Sequence, residues 1–204
     1  MNQEKAVLMK MRENEREVRK HLIIDAAISL FSKMPFDKVG MRDIAAQAGI
    51  STASIYRYFS NRDDLFVEAL SRESQTIVQQ MRDLIDTRGE ISIELIASTF
   101  VNYLLEHFTF FEMMTHFTTT GKIGGNALAK FNQAERKLLD VFDELFVGIG
   151  ATGQVRLLSH AFFASLNGIL ITFKNYPGRR PEDTRKHTLR LAAIVANVFK
   201  KGLS

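Results

Sequence analysis

Six residues between positions 52 and 62 could do chemistry together: Thr52, Ser54, Tyr56, Arg57, Tyr58 and Arg62. All donate hydrogen bonds, none carries negative charge, and no Asp or Glu falls between Ala45 and Arg62. Hydroxyls, phenols and guanidinium groups in such surroundings suit phosphate oxygens and the edges of base pairs, which carboxylates would repel. Other chemistries find less support. There is no Gly-x-Ser-x-Gly, and no Ser, His and Asp grouping stands out, so no catalytic residue is assigned and an enzyme is not expected. The five histidines, at 21, 107, 116, 160 and 187, contain no i, i+4 pair and no His-Glu-x-x-His, and cysteine is absent. Neither a metal nor a cofactor is expected. The glycines of "TTTGKIGGN", 118–126, lack phosphate-loop spacing and read as a plain loop.

The elements that position these donors follow from apolar spacing. Prolines occur only at 35, 177 and 181, and no alternating β pattern is present, so the chain reads as all-α. A first helix is expected from about Glu13 to Lys33, burying Val18, Leu22, Ala26 and Leu30, with Ala27, Phe31 and Met34 widening the stripe. Pro35 ends it. A second helix, Met41 to Ala48, stops at Gly49, which can adopt the left-handed turn. Ser51 caps a third, Thr52 to Phe59, with Ile55 and Phe59 inward, and Asn61 caps a fourth that runs to about Asp86. Two short helices joined by a glycine turn on a longer helix make a helix-turn-helix unit. With Ile55 and Phe59 inward, Thr52, Ser54, Tyr56 and Arg57 are left for the opposite surface, and the second short helix is the one that enters a major groove.

Over residues 20–70 this stretch resembles the TetR family of transcriptional regulators, through "IIDAAISLFSK", "MRDIAAQAGIS" and "IYRYFSNRDDL" in order. The resemblance implies a base-reaching role for Arg42 and a groove-facing start of the recognition helix at Thr52, Ala53 and Ser54. It implies groove-flanking or phosphate contacts for Tyr56, Tyr58 and Arg62, and either role for Arg57. Two departures stand out: Pro35 replaces the usual glycine after the first helix, and Gly40 replaces the frequent threonine cap of the second.

Beyond about residue 75 the resemblance fades, and the periodicity predicts four or five further helices. "TRGE", 87–90, is read as a break. Ile91 to His116 is expected as one helix or a pair, followed by helices near Ala127 to Ile149, Gln154 to Asn175 and Glu182 to Lys201. Thirteen of the 16 phenylalanines follow position 65. Together with the methionines they suit either a core or an adaptable apolar pocket, for which Phe108, Phe111, Met114, His116, Phe117 and Asn167 are the candidate lining. Between Leu157 and Phe173 the chain is apolar on most sides. Its small track of Ala161, Ser165, Gly168 and Thr172, beside Leu166, Ile169, Leu170 and Phe173, could pair with Leu191 and Val195 of the last helix to join two copies. The resemblance points the same way, since the last two helices of family members commonly dimerise.

Net charge is +4, split evenly: residues 1–64 hold eleven Lys/Arg against nine Asp/Glu, net +2. Bulk charge therefore does not single out a nucleic-acid partner; local placement does. The first 20 residues mix charges and fit neither a signal peptide nor a membrane span, so a cytoplasmic protein without a membrane partner is expected.

The expected whole is a helix-turn-helix domain at 1–64 with an N-terminal extension and a helical effector and dimerisation domain at 65–204. It would be a homodimeric regulator, most simply a repressor, released from an inverted-repeat double-stranded DNA site by a small, mainly apolar effector. Two alternatives stay open: a ligand-independent architectural DNA binder, and a carrier or enzyme with a vestigial helix-turn-helix. Residues 1–12 could be disordered or could reach an adjacent minor groove.

Overall fold

The structure is a computed structural model that describes residues 2–87, 92–121 and 123–203. Among them are nine α-helices, one 3-10 turn and no strand. The helices are α1 (Asn2–Phe31), α2 (Met41–Gln47), α3 (Thr52–Ile55), α4 (Arg62–Thr87), α5 (Ile93–Glu106), α6 (Phe108–Thr120), α7 (Gly125–Gly148), α8 (Val155–Phe173) and α9 (Pro181–Lys201), with the 3-10 turn at Phe36–Lys38.

α1 starts earlier than its apolar stripe predicts, and residues 2–12 belong to it. Its buried residues are Ile23, Ile24, Ala26, Ala27 and Phe31, whereas Val18 and Leu22 are exposed. Two apolar stripes interleave on this helix, and spacing alone does not say which one meets α2 and α4. The stripe containing Ile23 and Ala27 does.

The helix-turn-helix is built by local hydrogen bonds. Gly40 has no side chain with which to cap α2, but its N–H donates to the Asp43 carboxylate at 2.9 Å, which restores one half of a capping box. Gly49 takes φ +68° at the turn, as the sharp connection requires. The Ser51 hydroxyl accepts from the Ser54 N–H at 3.1 Å and starts α3. α3 is one turn long; the chain then tightens, with the Arg57 N–H donating to the Ser54 carbonyl and that of Tyr58 to Ile55. Ile55 and Phe59 are both buried, so the inward face is as expected although the helix is shorter. Asn61 accepts from the Asp64 N–H at 2.8 Å and caps α4.

α4 packs on α1 at one end and on α5, α6 and α7 along its length. It buries Leu65, Phe66, Val67, Ala69, Leu70, Ile77 and Met81, and the expected boundary at 64/65 lies within it. The expected break at "TRGE" lies largely outside the described residues. The segment after it is a pair of helices separated at His107. The loop expected from Thr118 is partly helical: Thr118, Thr119 and Thr120 donate back to the carbonyls of Thr115 and His116, and Gly121 closes α6 at φ +61°.

Leu166 and Leu170 are fully buried within this one chain and Ile169 nearly so, at 8% exposure. These three expected interface residues are core. The bulky side of α8 turns towards the other helices of its own chain, while Ala161 and Thr172 of the small track stay exposed. Phe173, Leu191 and Val195 are half-buried. The large apolar groups left outside on these two helices are Leu157, Ile171, Ile194 and Val198.

Candidate nucleic-acid interface and its link to the helical domain

Of the expected DNA-contacting side chains, Arg42, Thr52, Ala53, Tyr56 and Arg57 are exposed, while Ser54, Tyr58 and Arg62 are half-buried. Burial of Ile44, Ile55 and Phe59 on the inner faces of α2, α3 and the following turn leaves the first five to solvent. The Ser54 hydroxyl is 2.8 Å from that of Ser51, so it serves the cap. Tyr58 lies beside Arg19 of α1, close enough to raise the guanidinium's pKa together with the stronger partner Glu15.

Arg62 points inward. Its guanidinium sits 4.3 Å from the centre of the Phe36 ring and donates to the carbonyls of Phe36 (3.3 Å) and Val39 (3.4 Å). The first residue of α4 thus holds the segment that leads into α2 through Gly40. Its geometry is that of a positioning residue for the helix-turn-helix.

Phe36 continues the connection in the other direction. Its ring is 4.1 Å from Phe66 of α4 and 4.1 Å from His116 of α6, and Phe66 meets Phe117 edge-on at 5.0 Å. Phe31 of α1 and Phe131 of α7 close the cluster. His116 and Phe117 were expected in an effector pocket; the structure places them against the DNA-binding unit. The six expected pocket residues do not converge. Phe108 and Phe111 pair at the opposite end of α6, where the Lys174 ammonium lies over the Phe108 ring, and burial lowers that ammonium's pKa to about 8. Met114 is buried between these two ends of α6. Asn167, on α8, donates to the Phe163 carbonyl at 2.8 Å, and among the described residues its Oδ1 is buried without a hydrogen-bond partner.

Glu68 of α4 makes a second link. Burial pushes its carboxyl up, but Lys130 of α7 (2.5 Å) and Lys20 of α1 (2.6 Å) together hold it below its ordinary value. One carboxylate therefore ties the first helix of the DNA-binding unit to the helical domain. Phe36 and Glu68 escaped the sequence reading because neither lies in a motif. Each is legible only once α1, α4 and the second domain are packed.

Residues 23–69, which contain the helix-turn-helix and the first turns of α4, match the family model for bacterial regulatory proteins of the tetR family. That segment is similar to the N-terminal helix-turn-helix domain of the tetR family. An uncharacterized HTH-type transcriptional regulator of Haemophilus influenzae is 26% identical over 135 residues, covering 64% of this chain and 63% of that relative. The HTH-type transcriptional repressor KstR of Rhodococcus jostii is 36% identical over 77 residues, 38% of this chain and 32% of that protein. The match thus spans just under two thirds of the first relative and about a third of the second. Bacillus subtilis FadR, solved in complex with stearoyl-CoA, has a similar fold, with a TM-score of 0.68 at 20% identity over 90% of this chain and 99% of that one. The two chains share the order of elements, an N-terminal helix-turn-helix followed by a helical domain.

Proposed function

We propose that this chain is a homodimeric, sequence-specific transcriptional regulator of the TetR type, acting as a repressor, that leaves an inverted-repeat DNA site when a small, mainly apolar effector enters the helical domain. The observation that carries this reading is the helix-turn-helix itself: Ile44, Ile55 and Phe59 are buried, while Arg42, Thr52, Ala53, Tyr56 and Arg57 stay exposed. Arg42 is suited to a base, with Thr52 and Ala53 at the groove, Ser54 fixing the helix start, and Tyr56, Arg57 and Tyr58 at its edges and phosphates.

Release needs a coupled element, and α4 supplies it through Phe66, Glu68 and Arg62. An effector that favours one setting of α4 shifts the spacing of the two DNA-binding heads, and the coupling is reciprocal. The Asn167 Oδ1, buried without a partner among the described residues, supports a polar contact to an effector that reaches α8. Lys174, Arg179 and Arg185 line a cleft of about 600 Å³ at the ends of α5 and α8, beside Phe108, where the carboxylates are Glu106, paired with Arg185 at 2.8 Å, and Glu182. That rim supports an amphipathic effector with an anionic head, the chemistry of the acyl-CoA bound to the FadR structure.

A second copy is the occupant we assign to the outer face of α8 and α9, where Leu157, Ile171, Ile194 and Val198 are 58–63% exposed. The relatives named above are regulators, which supports a non-enzymatic role, and such a role belongs in the compartment that holds the DNA.

The test is capture of fragmented DNA from the protein's own source at near-physiological salt, followed by sequencing of what stays bound. Enrichment of a few sites sharing an inverted repeat is expected. Broad, salt-sensitive retention without a shared motif would overturn the specific regulator in favour of an architectural DNA binder.

A further inference from the structure

α1 is 30 residues long, yet every residue from Lys5 to Arg19 is exposed and the first buried one after them is Ile23. A stretch of helix that buries nothing gains little from tertiary packing, so its side chains are available to a partner. Their arrangement is specific. Lys5, Arg12, Arg16 and Arg19 are spaced by seven, four and three, which puts them on one face. Arg16 and Arg19 stand seven and four residues before Ile23, so the basic face continues the core-facing side of α1 towards the rest of the DNA-binding unit. Glu13 and Glu17 fall outside the spacing of that face.

The same face meets the recognition segment. Arg12, Arg16 and Arg19 line an open groove of about 530 Å³ together with Arg57 and Tyr58. Glu15 is its one acidic lining residue, and it is paired with Arg19 at 2.7 Å. Four guanidinium groups, one of them paired with the single carboxylate, make a net-positive strip that begins at Arg57 and runs along the helix.

We propose that residues 5–19 of α1 form a second DNA-contacting element, a helical arm whose basic face binds phosphates outside the half-site held by α2 and α3. The inference rests on the regulator reading above. From Lys5 to Arg19 the helix rises about 21 Å at 1.5 Å per residue. At about 3.4 Å per base pair that corresponds to roughly six base pairs of added contact on each outer flank. Phosphate contacts of this kind raise affinity and fix register, and they carry no base preference.

The experiment compares the wild-type protein with Arg12→Ala/Arg16→Ala/Arg19→Ala and with the corresponding triple Lys variant, on a duplex carrying the captured repeat, between about 50 and 200 mM salt. Each lost phosphate contact lowers the salt slope by about 0.9, so the Ala variant is expected to bind more weakly with a slope shallower by roughly 2 to 3 per arm. The Lys variant should keep the wild-type slope. Removing about six base pairs from each flank should weaken the wild-type protein and leave the Ala variant unaffected, and both should select the same repeat. An Ala variant with the wild-type slope and the wild-type response to shortened flanks overturns the arm while leaving the regulator intact. Wild-type protein that selects no repeat at all overturns the regulator reading, and the arm with it.

Discussion

The Phe36 ring and the His116 imidazole lie 4.1 Å apart with planes tilted by 56°. They come from two parts of the fold, Phe36 from the turn that leads into the helix-turn-helix and His116 from α6 of the helical part that follows it. Phe66 of α4 touches both rings, at 4.1 Å and 5.9 Å. A shift of α6 or α4 must therefore move Phe36 or lose ring contacts, because packed aromatic groups have few intermediate arrangements.

The contact can be measured without knowing the effector. In a double-mutant cycle, Phe36→Ala and His116→Ala should each destabilise the protein, and the pair should be non-additive by about 0.5 to 1.5 kcal/mol. Denaturant unfolding of the four proteins checks it. Strict additivity would mean that the two rings are neighbours without being coupled.

Arg42 and Arg62 should fail differently. Arg42 is exposed at the start of α2, and Arg42→Ala is expected to relax preference at one base per half-site by about 1 to 3 kcal/mol with little change in melting. Arg62 is spent on the Phe36 and Val39 carbonyls. Arg62→Ala should lower stability by about 1 to 3 kcal/mol and weaken all sequences alike, since it loosens the entry to α2. Thermal melts alongside binding profiles over randomised sites separate the two outcomes.

Glu68 predicts a pH dependence. Its carboxyl titrates below its ordinary value in the folded state, so the stabilisation is present above the unfolded value near 4.5 and is lost as pH falls through the folded one. Glu68→Gln should cost about 1 kcal/mol at neutral pH, an amount reduced by added salt, and the difference from wild type should shrink as pH drops below about 4.5. Unfolding curves from pH 7 to 3 test the sign.

The outer face of α8 and α9 should control assembly. Ile194→Asp with Val198→Asp places two charges where exposed apolar groups stood, and is expected to yield helical monomers that no longer hold an inverted repeat. Leu166→Asp buries a charge in the core of one chain and should instead prevent folding. Sedimentation and circular dichroism distinguish the two, and a dimer that survives the α9 pair would assign the interface elsewhere.

Local chemistry made the DNA-binding unit legible from sequence. Caps at Ser51 and Asn61, the left-handed glycine at 49 and the apolar positions Ile44, Ile55 and Phe59 are decided within a few residues of themselves, so helices and turns followed from residue type and spacing. The all-α class followed for the same reason. What tertiary packing decided were choices between faces. α1 and α8 each carry apolar residues on more than one side, and only their partners select Ile23 over Leu22, or turn Leu166 inward and leave Ile194 of α9 outside. Arg62 has the same composition of neighbours whether it reaches for a phosphate or for Phe36, and the carbonyls that settle it come from 26 and 23 residues earlier in the chain. His116 and Glu68 became linking residues through contacts with elements far away in sequence, a relationship that no local pattern encodes.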